Sequence, residues 1–344
     1  MRYIGIIKLL VLCLTLLLLN GYIVDTVISE TTSGNLENQE NTEEPVKWSG
    51  LEMCFEDVYD TENIDFYFDE LLANGFTQLR IHMSDALHPD WVDSTKITAL
   101  AAMAKGFDVL WGVSSPNTTL TAANWSDYVT AVEGYAAWAQ ANGIYEFLIG
   151  NEEERYNDNT TLTDAQLRTN LRALATSVQA IFTNGDVGYG NSCEFLSNWI
   201  TEGRGDIDIV SWMVYTDDEN WKDNIDAMVA AFGADHTYIN EFNVDSGGYV
   251  HYSEDEAVQA AGITEMIEYI KASGITRAFF YEWGSGEFGV LKDDDTYRLL
   301  WSQALLNSGS VKSTTVAKTT TKYLLPDTIE YLISKIIKKY QMQH

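Results

Sequence analysis

Two glutamates stand at the ends of short apolar runs, each directly after an asparagine: Glu152 in EFLIGNE (146–152) and Glu241 in TYINE (237–241). A carboxyl pair of this kind suits displacement at an acetal carbon. One carboxyl protonates the leaving oxygen and the other attacks as a carboxylate. Where configuration is retained, the two stand about 5–5.5 Å apart. Their acidities must differ. Burial and a neighbouring negative charge raise one pKa, while an arginine and hydrogen-bond donors keep the other group charged. Comparable apolar-to-polar transitions carry Arg80 and His82 (TQLRIHM), Trp111 (DVLWGV), Tyr215 (after SWMV) and Trp283 (RAFFYEW). With Asn151 they supply an amide, a cation, a phenol and flat rings, which suit a ligand with hydroxyl edges and an apolar face. Metal chemistry has no such signal: of five His only His82 lies clearly on a strand pattern, and three Cys form no Cys-His cluster. Nothing suggests a cofactor.

These residues need elements that bring them together. Strand patterns run over 50–55, 77–83, 108–113, 146–150, 186–189, 207–214, 237–240 and 277–283. Helical patterns over 64–73, 125–141, 164–182, 255–272 and 297–306 separate several of them, often with Gly just past the end. Eight strands with intervening helices over about 260 residues predict an α/β fold, a (β/α)8 TIM barrel forming a single catalytic domain. A doubly wound sheet usually has fewer units and a Gly-rich phosphate loop, which is not found. In the barrel, strand ends converge at the C-terminal face. That places Arg80, His82, Trp111, Asn151, Glu152, Tyr215, Glu241 and Trp283 on one rim.

Asn-Glu ending the fourth strand, Glu ending the seventh, Arg on the second, Tyr ending the sixth and Trp ending the eighth resemble the clan A glycoside hydrolases, in particular the cellulase-like family 5 and its relatives. The resemblance spans about 48–306. It implies a retaining β-glycosidase acting on a neutral polysaccharide or oligosaccharide of β-glucan or β-mannan type, with Glu152 as acid/base and Glu241 as nucleophile. It implies that Asn151 binds the sugar 2-hydroxyl, that Arg80 and Tyr215 hold Glu241 charged and oriented, and that Trp283 stacks under the sugar. His82 and Trp111 are further candidate subsite residues. Glu153 and Glu154 read as a solvated acidic loop. Glu282 alternates away from Trp283 and reads as either outward-facing or salt-bridging between helices, and Glu287 and Asp245 are candidates for the cleft wall. A non-catalytic carbohydrate-binding or surface-structural protein on the same barrel is the alternative, and the retention of both glutamates favours the enzyme. A different barrel enzyme, an isomerase or metal-dependent hydrolase, would need His and Asp ligands at the strand ends.

The net charge of −30 lies almost wholly in the centre: residues 1–47 carry −3 and residues 311–344 carry +4. Such a surface repels phosphate backbones, which argues against a nucleic-acid partner. Cys54 and Cys193 fall on the first and fifth strands, on opposite sides of a barrel, so a disulfide between them is disfavoured. Arg2 and Lys8 precede LLVLCLTLLLL (9–19), so residues 1–28 read as a signal peptide or membrane anchor and the protein as extracellular or cell-surface. Residues 29–47 are an acidic linker expected to be disordered, 48–307 the barrel domain, and 308–322 a Ser/Thr-rich linker. Residues 323–344 form a basic amphipathic helix pattern, with Ile329, Leu332, Ile333, Ile336, Ile337 and Tyr340 in helical spacing beside three lysines. Docking on the barrel and lying on a membrane surface are both open to it. The sequence sets neither the sugar nor the oligomeric state.

Overall fold

The computed structural model describes residues 50–55, 64–81, 83–157, 159–215, 220–244, 256–283, 290 and 301–305, with the backbone alone at 50–55 and 302–303. The N-terminal segment, both linkers, the C-terminal helix pattern, His82, Asp245 and Glu287 lie outside the described residues.

The strands are β1 (Gly50–Phe55), β2 (Gln78–Ile81), β3 (Ser84–Asp85), β4 (Asp108–Ser114), β5 (Glu146–Asn151), β6 (Val187–Ser192), β7 (Ile209–Tyr215), β8 (Thr237–Asn243) and β9 (Arg277–Trp283). They follow one another in the order β2-β1-β9-β8-β7-β6-β5-β4, and β2 also pairs with β4. Every pairing is parallel, so this ring closes into an eight-stranded barrel. The two-residue β3 is an addition to the end of β4. The fold is therefore the (β/α)8 barrel that the strand pattern predicts.

The main helices are α1 (Ile64–Ala73), α2 (Pro89–Lys105), α3 (Trp125–Asn142), α4 (Glu153–Tyr156), α5 (Asp164–Gln179), α6 (Leu196–Glu202), α7 (Trp221–Phe232) and α8 (Glu256–Ala272). α5 forms because Thr163 and Gln166 complete a reciprocal capping box and Leu167, Leu171, Leu174 and Val178 bury one stripe. α2 has little signature in the sequence. Its buried side includes Ser94, Thr95, Thr98, Ala99 and Ala102, small or hydroxylated residues that draw no apolar stripe.

The floor of the barrel is polar. Glu146 and Arg277 start their strands, Tyr238 is second in its own, and all three point inward. Tyr238 Oη donates to Glu146 Oε1 at 2.7 Å, Arg277 Nη2 pairs with Glu146 Oε2, and the guanidinium lies 4.1 Å from the Tyr238 ring centroid. The Cys193 thiol donates to the Met213 carbonyl at 3.0 Å.

Three strands lose their alternation near the mouth. Leu148 pairs with Gly188 and Asn151 with Gly190, three residues against two. Trp212 pairs with Ile239 and Met213 with Glu241, one residue against two. Met53 pairs with Phe280 and Phe55 with Trp283, two against three. Each extra residue bends its strand and moves the following side chains to the other face. All three bulges lie at ends that carry candidate site residues.

Candidate active site

Glu241 sits on β8 just beyond its bulge. The bulge lets consecutive residues serve the interior, Asn240 below and Glu241 at the mouth. Arg80 Nη2 lies 2.8 Å from Glu241 Oε1, and Tyr215 Oη donates to Glu241 Oε2 at 3.0 Å. Both carboxylate oxygens are thus held. Hydrogen bonds to a charged acceptor contribute about 1.5–3 kcal/mol each, so these contacts fix the carboxylate's position and orientation. Burial and the Glu241 charge push the Tyr215 phenol well above its usual range, which keeps it a donor.

Asn151 ends β5 beside this pair. Its Oδ1 accepts from Arg80 Nη2 at 3.1 Å and from Asn240 Nδ2 at 3.2 Å. Arginine can only donate, so the amide orientation is fixed and Nδ2 becomes the edge available to a ligand. Gly190 makes room for this arrangement: a Cβ there would stand 2.3 Å from Asn151 Oδ1 and 2.6 Å from Asn240 Nδ2.

Glu152 follows Asn151 with φ 60° and ψ 27°, a left-handed backbone for a non-glycine residue. Such geometry costs of order 1 kcal/mol or more and persists only where the surroundings enforce it. Here Glu152 N donates to the Gly190 carbonyl at 3.0 Å, and Arg155 N donates to the Glu152 carbonyl at 2.9 Å. The side chain is 9 % exposed, as is that of Glu241: both are reachable, and both are largely stripped of water. Burial and then the Glu241 charge raise the Glu152 pKa to about 7, against the pull of Arg155, whose Nη1 lies 3.1 Å from Oε1.

Glu153 and Glu154 are not a solvated loop. They are 0 % and 3 % exposed and anchor α4. Glu154 receives Arg168 Nη1 at 2.6 Å, Trp199 Nε1 at 2.7 Å and Asn191 Nδ2 at 2.8 Å. Burial drives the Glu153 carboxyl to about 8. Tyr128 Oη lies 2.8 Å from the Ile149 carbonyl oxygen and 3.1 Å from Glu153 Oε1. The phenol has one proton and the carbonyl only accepts, so a neutral Glu153 that donates to Tyr128 satisfies both contacts. Two buried networks thus brace the turn that aims Glu152. The sequence showed the acids but not their partners, which come from α3, α5, β6 and α6.

Arg80, Asn151, Glu152 and Glu241 line one cleft of about 110 Å³ with Met83, Ser114, Pro116, Tyr156 and Tyr281. Trp111 and Trp283 are elsewhere, which corrects their expected subsite roles. Trp111 is fully buried on the outer face of the barrel, where its Nε1 donates to Thr95 Oγ1 at 3.0 Å and its ring meets Trp138 edge-on at 4.7 Å. Trp283 is also fully buried, with ring centroids of Tyr67 and Trp301 each 5.3 Å away. The β9 bulge explains this. Arg277, Phe279 and Tyr281 alternate inward, then the extra residue turns Trp283 out toward α1. The aromatic residue of β9 in the cleft is Tyr281, two positions earlier. Glu282 is buried, 8 % exposed, and its carbonyl accepts from Val290 N. Among the described residues no cluster of three His, Cys, Asp or Glu is placed to hold a metal ion, and no helix is long and apolar enough to cross a membrane.

No family model and no curated protein matches the sequence. Solved structures do match in fold. A GH113 β-1,4-mannanase is 13 % identical with a TM-score of 0.53, over 76 % of this chain and 95 % of that one. The endoglucanase Cel5A of Thermotoga maritima is 15 % identical with a TM-score of 0.56, over 76 % and 97 %. The exo-β-1,4-mannosidase Op5Man5 of an Opitutaceae bacterium, strain TAV5, is 11 % identical with a TM-score of 0.57, over 72 % and 57 %. At such identities the likeness is one of fold.

Proposed function

We propose that the protein is a retaining β-glycosidase acting on a neutral β-linked saccharide of the glucan or mannan type, with Glu241 as nucleophile and Glu152 as acid/base. The observation that carries this reading is the split between the two acids. Glu241 is held on both oxygens by Arg80 and Tyr215, while Glu152, in the same cleft, is raised to about 7. Arg80 and Tyr215 orient Glu241 for attack, and the raised Glu152 carboxyl keeps a proton to give to the leaving oxygen near neutral pH. The β-mannanase and endoglucanase activities named for barrels of similar fold support the substrate class.

In the first step Glu241 attacks the anomeric carbon, the glycosidic carbon–oxygen bond breaks, and Glu152 gives its proton to the departing oxygen. In the second, Glu152 takes a proton from water, the hydroxide oxygen bonds to that carbon, and the bond to Glu241 breaks. Asn151 Nδ2 is placed to donate to a hydroxyl beside the reacting carbon. The basic-then-apolar start of the chain supports an extracellular or cell-surface site of action.

The test is a screen of the protein on aryl β-glucosides, aryl β-mannosides and the corresponding polysaccharides, beside Glu241→Ala and Glu152→Ala. Each variant is expected to lose about 10³-fold or more in kcat. Azide should partly restore Glu152→Ala on an activated aryl glycoside, because that leaving group needs no acid and the azide anion needs no base to displace Glu241 from the anomeric carbon. Full activity in both variants sinks the assignment.

A further inference from the structure

Glu152 is shared by two clefts. The smaller contains Glu241, Arg80 and Asn151. The larger, about 440 Å³, is walled by Arg155 of α4 and by Ser192, Glu194, Tyr215, Asn220 and Asn224, from the ends of β6 and β7 and the start of α7. Its size falls within the range of about 300–1,000 Å³ usual for small-molecule sites. Asn220 and Asn224 stand four apart, with Asn224 N donating to the Asn220 carbonyl at 2.9 Å. They therefore lie on one side of the helix start. Glu194 is close enough for its charge to raise the Glu152 pKa. Amides, a carboxylate, a guanidinium and a serine hydroxyl make a wall suited to adjacent hydroxyls, with Met213 and Val214 as its apolar part.

Chemistry decides which part of a substrate goes there. The scissile oxygen takes the Glu152 proton, and the group it carries departs away from Glu241. A cleft that holds Glu152 and not Glu241 is on the departing side. We infer that the larger cleft is a saccharide-binding subsite for the leaving group, in which Asn220, Asn224 and Glu194 engage sugar hydroxyls. The substrate then carries sugar on both sides of the scissile bond, rather than ending in a small alcohol. This inference rests on the glycosidase reading.

The test separates the two. The full chain is treated with 2,4-dinitrophenyl 2-deoxy-2-fluoro-β-glucoside and the β-mannoside analogue, which leave a glycosyl group on the nucleophile. Recovery of activity is then followed in buffer alone and with rising cellobiose or mannobiose. Saturable acceleration by a disaccharide is expected, because the acceptor occupies the leaving-group cleft. Asn224→Ala and Asn220→Ala should each raise the half-saturating concentration at least fivefold, with thermal unfolding used to show that both fold. Failure of both reagents to label Glu241 overturns the glycosidase reading and the subsite with it. Labelling at Glu241 without disaccharide acceleration, or with acceleration unchanged in both variants, overturns the subsite alone.

Discussion

The Arg155 guanidinium lies 3.1 Å from Glu152 Oε1 and works against the two effects that raise that carboxyl. Burial and Glu241 push the pKa up, Arg155 pulls it down, and the balance is about 7. Since Arg155 is itself more than half exposed, solvent screens the pair and its worth to stability is small. Its consequence is for the pH range of activity.

Glu152 must be protonated for the first step, so kcat/KM on a substrate with a poor leaving group falls as pH rises past its pKa. Arg155→Met removes the guanidinium that pulls the Glu152 pKa down and lets that pKa climb. The alkaline limb of the profile is expected to move to higher pH, while a dinitrophenyl substrate, which needs no acid, should show no such movement. A limb that stays fixed or moves to lower pH would show that Glu152 is not the group that titrates.

Tyr281 and Trp283 differ in role although they are two residues apart on one strand. Trp283 packs between Tyr67 and Trp301 behind the barrel wall, so Trp283→Ala is expected to cost about 3–5 kcal/mol of stability. Tyr281 lines the cleft, so Tyr281→Ala should raise KM or lower kcat on aryl glycosides with a smaller change in unfolding midpoint. The check is to measure both variants by denaturant unfolding and by steady-state kinetics. The reverse pattern would return the sugar platform to Trp283.

That pair also shows where sequence reasoning reaches its limit. Strand β9 was legible from end to end, because RAFFYEW is apolar and aromatic between turn signals. Which ring faces the site was not. A period of two puts 281 and 283 on one face, and only the pairing with β1 reveals the extra residue. The same holds for Asn240. It reads as the neighbour of Glu241 on the opposite face, and the β8 bulge brings it inside to Asn151. Arg80, Asn151, Glu152, Tyr215 and Glu241 could be placed because each stands at or near a strand end, where the barrel topology alone directs them to the rim. Trp111, in mid-strand, had no such guide, and its partners on α2 and α3 turn it outward. The burial of Glu153 and Glu154 depended on Tyr128, Arg168, Asn191 and Trp199, side chains 14 to 45 residues away. Local pattern carries no information about contacts of that kind.

Glu153 gives the last prediction. Its folded pKa is about 8, against 4.5 for the unperturbed side chain, and burial is the chief cause. Between those values the folded chain holds a proton that the unfolded chain has released, so stability falls as pH rises from about 4.5 to 8. Below that window both states are neutral at this position and nothing is lost. Glu153→Gln has no proton to lose, and its amide can donate to Tyr128 as the neutral acid does. The variant and the native protein should therefore unfold at similar temperatures near pH 4.5, and the variant should gain steadily as pH rises. A gain of about 1 kcal/mol corresponds to about 2–4 °C for a domain of this size, and at pH 8 the expected gain is at least that. Glu154, whose pKa is also raised by burial, is common to both proteins and cancels in the difference. The experiment is a set of thermal melts of the pair from pH 4.5 to 8. A constant offset across that range, or a variant that loses ground as pH rises, would mean that Glu153 is ionised in the fold and that the Tyr128 contact is donated the other way.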